Sequence, residues 1–144
     1  MKKTTLILIV VVFLVLVGAG LGYYFYTKKK KKTPESNKKL MDDMQAAPQG
    51  KPYDSQFKAV ATQFFTDSGL TAEQQGSLLE DMQNRFLQQS NGSTVDAFIA
   101  AVSNWMPAWE ADSNFTDEQK TKIKNAWAAL YKKWSELKAQ AILK

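Results

Sequence analysis

An all-α fold is expected: an N-terminal single transmembrane helix, a linker, then a small four-helix bundle with two helical hairpins as its candidate building units. Three observations predict it. Residues Leu6 to Tyr26 carry no charge. Beyond Tyr53 the apolar residues recur three and four apart through four segments. None of those segments alternates apolar and polar residues as a half-buried strand does.

The first element follows from length. A helix of the 21 residues from Leu6 to Tyr26 is about 31 Å long, close to the hydrocarbon thickness of a bilayer. The rival reading is a cleaved secretory signal, with "MKK" as its basic start, Leu6 to Val17 as its apolar core and Gly18 to Gly20 as its small-residue cleavage site. Against it, apolar character continues past that site through Leu21 into Tyr23, Tyr24, Phe25 and Tyr26. At the end of a spanning helix these aromatic rings belong at the headgroup level. The lysines Lys28, Lys29, Lys30, Lys31 and Lys32 then follow where water and lipid phosphate are available. Residues 1–32 are therefore the expected anchor, with Tyr23, Tyr24, Tyr26 and Lys28 to Lys32 at the membrane interface.

Those lysines outnumber Lys2 and Lys3, which favours the C-terminal side as cytoplasmic. The sequons "NGS" at Asn91 and "NFT" at Asn114 point the other way, but helix punctuation produces the same residues. Within the span, Gly18 and Gly22 stand four apart with small residues between them, a face on which two membrane helices can pack closely. A homo-oligomer through the membrane helix is the partnership this face implies.

Residues 33–52 hold three of the four prolines and read as a stiff tether, with a short helix from Lys39 to Ala47 inside it. Residues 53–144 are the four-helix domain. The first helix, about Asp54 to Asp67, gathers Phe57, Val60, Ala61, Phe64 and Phe65 on one side. The second, about Ala72 to Gln89, presents Leu78, Leu79, Met82 and Phe86. Ser93 with Asp96 caps the third, which turns Val95, Phe98, Ile99, Val102 and Trp105 inward until Pro107 stops it. The fourth, about Asp117 to Leu143, carries Ile123, Trp127, Leu130, Trp134, Leu137 and Ala141 as an a/d seam, which places both tryptophans in the core.

A repeat runs through the domain. "DSGLTAEQ" at Asp67 to Gln74 returns 45 residues later as "DSNFTDEQ" at Asp112 to Gln119, and the flanking apolar register matches from Phe57/Val102 to Met82/Trp127. Convergent capping explains the eight-residue match: a left-handed Gly or Asn ends one helix and Thr-x-x-Gln opens the next. The shared offset of the flanking cores favours two copies of one hairpin. "LTAEQ" also resembles the opening of helices that precede calcium loops in EF-hand proteins. No such loop follows, so the resemblance ends at the cap.

Charge and composition bound the chemistry. The formal net charge is +5, with residues 1–52 at +7 and residues 53–144 at −2. Within the domain, residues 53–115 carry −6 and residues 116–144 carry +4. The single arginine, Arg85, and the absence of a basic folded face argue against nucleic acid as a partner. No cysteine or histidine occurs, which excludes disulfides, thiolate nucleophiles, imidazole bases and the usual zinc and haem ligands. The adjacent carboxylates Asp42/Asp43, Glu80/Asp81 and Asp117/Glu118 read as solvated helix surface. No cofactor is called for, and no catalytic residue stands out.

The expected partners are the lipid bilayer and other proteins of an assembly. The layout of short amino-terminal anchor, basic stop, stiff linker and small helical head resembles the membrane-anchored minor structural proteins of large icosahedral DNA viruses, which link an internal membrane to the protein shell. That likeness implies a non-enzymatic virion tether; a cellular adaptor or complex-assembly factor shares the same layout. An enzyme or lipid-handling protein would instead need a deep pocket with converging polar groups.

Overall fold

The computed structural model describes residues 32–46, 50–89 and 93–143, and every described element is helical. The chain divides at Lys31/Lys32, and the second unit, Lys32–Lys144, is the one described. Among the described residues it has five helices: the four expected from residue 53 onward, and one at the expected short helix of Lys39 to Ala47, which begins earlier than expected. α1 spans Pro34–Ala46; α2 spans Phe57–Ser68 behind a 3-10 turn at Asp54–Gln56. α3 runs Ala72–Asp81, passes through a π turn at Met82–Phe86 and closes with Leu87–Gln89. α4 spans Thr94–Ala111 and α5 spans Asp117–Leu143.

Helix ends lie where side chains can satisfy orphan backbone groups. Thr71 and Gln74 form a reciprocal capping box at the start of α3, and Ser93 and Asp96 form another at the start of α4. At α5, Gln119 N–H donates to Thr116 Oγ1 at 3.2 Å while Thr116 N–H donates to Gln119 Oε1 at 2.9 Å. The two helix exits differ. Gly69 closes α2 in the left-handed region at φ 68°, as its lack of a Cβ allows. Asn114 was expected to do the same, but no described non-glycine residue has positive φ. Instead α4 ends on extended Asp112, whose Oδ1 accepts the Asn114 N–H at 2.9 Å, an Asx turn.

The core is aromatic at its centre. Phe98 of α4 meets Phe57, Phe64 and Phe65 of α2 edge-on, each with ring centroids 5.8 Å apart. Leu78, Leu79 and Met82 from α3 and Val95 and Val102 from α4 are fully enclosed around them. Each such side chain contributes about 1.5–3 kcal/mol relative to exposure.

Three expectations are corrected here. The short helix expected at Lys39 to Ala47 is α1, which begins five residues earlier and packs on the bundle: its Met44 and Asn37 are buried, and Asn37 Nδ2 donates to the Ala72 carbonyl at 2.7 Å. Pro34 sits at the first helical position, where a missing N–H costs nothing, so the helix starts there rather than at Lys39. Pro107 does not stop α4, which continues four residues further. The carbonyl it leaves unpaired, that of Ser103, belongs to an exposed residue and is open to water. Trp127 and Trp134 are half-buried, and the core face of α5 is Ile123, Ala126, Leu130 and Leu137.

Candidate functional site

The corrected register of α5 brings a second stripe to the surface beside the core seam. Trp127, Tyr131, Trp134 and Lys138 are spaced four, three and four apart, which stacks them on one helix face. Their side chains touch in series. The Trp127 and Tyr131 rings lie 5.8 Å apart, the Tyr131 and Trp134 rings 5.3 Å, and Lys138 Nζ stands 4.4 Å over the Trp134 ring. Tyr131 is 50% exposed. Lys120 and Lys124 extend the stripe toward the start of the helix, and Lys124 Nζ lies 3.6 Å from Glu110 of α4. Ile142, 82% exposed, extends it toward the end.

One carboxylate fixes the stripe to the bundle. Asp96, the third residue of α4, accepts the Trp134 indole N–H on Oδ1 at 2.6 Å and the Tyr53 hydroxyl on Oδ2 at 2.9 Å. Its Oδ2 also accepts the Ser93 N–H at 2.9 Å. Burial pushes the Asp96 carboxyl up, but these donors outweigh it and hold the group below the usual carboxylate range. For Tyr53, burial first and the Asp96 carboxylate second push the phenol up to about 12. A second carboxylate repeats the device: Asp81 Oδ2 accepts the Trp105 indole N–H at 2.9 Å and pairs through both oxygens with Arg85. The Arg85 guanidinium holds Asp81 below its ordinary value, and Arg85 also lies 5.1 Å over the Phe86 ring. Both carboxylates are thus held ionised and occupied by donors, which suits bracing rather than proton transfer near neutrality.

The concave features are open. A groove of about 380 Å³ between α2 and α5 is floored by Val60, Phe64, Ala126 and Leu130, with Asp67 and Lys133 among its lining residues. A shallower one of about 220 Å³ lies between Lys51–Tyr53 and the end of α5 at Lys138, Ala141 and Ile142. Among the described residues no group of three or more carboxylates is placed to hold a metal ion, and no helix is long and apolar enough to cross a membrane.

No relative decides the function. The chain matches no family model, no curated protein and no solved structure.

Of the residues singled out from sequence, Gly18, Gly22, Tyr23, Tyr24, Tyr26 and Lys28 to Lys31 lie outside the described residues. Lys32 is described, and it lies on the helical domain. Its ammonium donates to Ser77 Oγ at 2.8 Å and pairs with Glu80 at 3.1 Å, while its stem covers Gly76, where an added Cβ would meet it at 2.6 Å. The α5 stripe is not separated from the core by the sequence, whose spacing assigns its two tryptophans to the a/d seam. The bonds of Asp96 to Trp134 and Tyr53 had no sequence signal, because they join residues 38 and 43 apart.

Proposed function

We propose that this chain is a non-enzymatic, single-pass membrane protein whose helical domain ties a partner or a protein shell to a bilayer, as a virion membrane protein does. The observation that carries the reading is the uncharged stretch Leu6 to Tyr26, closed by Tyr23, Tyr24 and Tyr26 and then by five lysines. The domain is in keeping with it: its carboxylates serve as braces and the groove between α2 and α5 is floored by apolar side chains, whereas a catalytic pocket would gather polar groups in a cleft. In this reading the domain stands on the cytoplasmic side, or inside a virion membrane, and Gly18 and Gly22 form the face on which membrane helices pair. A cellular adaptor or assembly factor has the same parts and differs only in its neighbours.

Carbonate extraction at high pH tests the anchor. The chain is expected in the membrane pellet with its amino terminus intact by mass spectrometry. Recovery in the supernatant, or a mature species beginning near Leu21, overturns the proposal. Cross-linking in the native membrane, followed by identification of the attached chains, separates a virion shell from a cellular complex.

A further inference from the structure

We infer that the Lys120–Ile142 stripe of α5 docks on an anionic bilayer surface, laying the helical domain along the membrane. The first support is charge. From sequence, residues 32–116 carry a net −5 and residues 117–144 a net +4, so a negative surface attracts α5 and repels the remainder of the domain.

The second support is the make-up of the face. Lys120, Lys124, Trp127, Tyr131, Trp134, Lys138 and Ile142 share one side of the helix, and Glu118 and Glu136 fall about half a turn away from Trp127. Ring bodies with polar tips and long basic stems suit the headgroup layer, where Lys120 and Lys138 reach phosphate, Lys124 exchanges Glu110 for it, and Ile142 enters the acyl boundary. A single-stranded nucleic acid would need free ring faces to stack on. Here the rings lean on one another at 56° and 64°, and Lys138 occupies a face of Trp134.

The third support rests on the anchored reading. The uncharged stretch ends at Thr27 and the described domain begins at Lys32, so the intervening residues span roughly 20 Å even when extended. That reach keeps the domain beside the headgroups and raises the effective concentration of the stripe there.

The chain has no cysteine, so single labels are straightforward. Ser135 lies one turn beyond Tyr131 on the flank of the stripe, and Glu136 lies on the opposite face; both are exposed. Full-length Ser135→Cys and Glu136→Cys, each carrying an environment-sensitive fluorophore, are reconstituted in nanodiscs of phosphatidylcholine with and without about one-third phosphatidylserine. The expected result is a blue shift, and quenching by headgroup-level nitroxide lipid, for the Ser135 label alone and only with phosphatidylserine. Combined Lys120→Gln, Lys124→Gln and Lys138→Gln should reduce the docking equilibrium constant by about fivefold per lysine, with circular dichroism unchanged. Equal response of the two labels, or indifference to phosphatidylserine, overturns the inference. So does a Ser135 response to oligouridylate in phosphatidylcholine discs, which would assign the face to nucleic acid. Carbonate extraction reads the anchor independently, so an anchored chain with a silent Ser135 label refutes the docking and leaves the tether standing.

Discussion

The hairpin α2–α3 and the hairpin α4–α5 share a sequence register 45 residues apart but bury it differently. Phe57 and Val102 are both fully enclosed, as are Phe64 and Trp109 to within a few per cent. Where the first hairpin places Val60 and Met82, at 5% and 0% exposure, the second places the half-buried Trp105 and Trp127. The first hairpin also has α1 packed on it, chiefly along α3. The comparison teaches that apolar spacing sets which side of a helix faces inward, whereas depth depends on what else arrives to cover it. The tryptophans of the second hairpin stay at the boundary, where Trp105 and Trp134 each turn an indole N–H toward a carboxylate.

The largest expected effect tests that difference directly. Met82→Ala should cost about 2–5 kcal/mol, as for other enclosed large side chains, while Trp127→Ala at the matching position should cost about 1–2 kcal/mol because half its surface work is already lost to solvent. Thermal or urea unfolding measures both; equal losses would mean that the two hairpins are buried alike.

Next is the alkaline limb. Tyr53 in the folded domain titrates near 12 instead of its ordinary 10. Its neutral form is favoured by folding, so its contribution is complete below pH 10 and fades as pH rises toward 12. Tyr53→Phe should flatten that limb in unfolding curves taken across the alkaline range. The acid limb has the opposite sense: Asp96 is held below its ordinary value, so its contribution is present above about pH 4 and is lost as pH falls further. Asp96→Asn should shrink that limb, leaving the share of Asp81, and cost about 1–2 kcal/mol at neutral pH. An unchanged acid limb would show that Asp96 does not brace Trp134.

The smallest effect sharpens the contrast between the helix exits. Gly69→Ala should cost about 1 kcal/mol, because Gly69 is left-handed, whereas Asn114→Gly should change stability by a few tenths at most. A comparable shift from both would mean the two exits share one conformation.

Much of the fold was legible because it is written locally. The capping pairs Thr71/Gln74, Ser93/Asp96 and Thr116/Gln119 are each three residues apart, so the sequence exposes the helix starts they make. The burial of Phe57, Phe64, Leu78 and Phe98 follows from spacing alone. The helix of α1 was expected but not its docking: its flanking prolines and lysines resemble those of a spacer, and only the Asn37 bond and the enclosed Met44 reveal that it packs on the bundle. The π turn at Met82–Phe86 leaves no mark in the residue pattern. In α5 the four-and-three spacing fits two adjacent stripes: the expected Ile123, Leu130 and Leu137 are buried, while Ala126 joins them and Trp127 and Trp134 stay half-buried. The stripe is legible as composition, but its brace at Asp96 depends on how distant helices meet.

Lys32 on Gly76 has a mechanical consequence. A load applied to the chain from its amino-terminal side enters the helical domain at Lys32, whose two polar bonds and stem contact hold it against α3. Behind that clasp lie the 13 residues of α1. If the clasp yields and α1 peels and extends, the chain lengthens by about 25 Å, the difference between extended and helical rise over that helix.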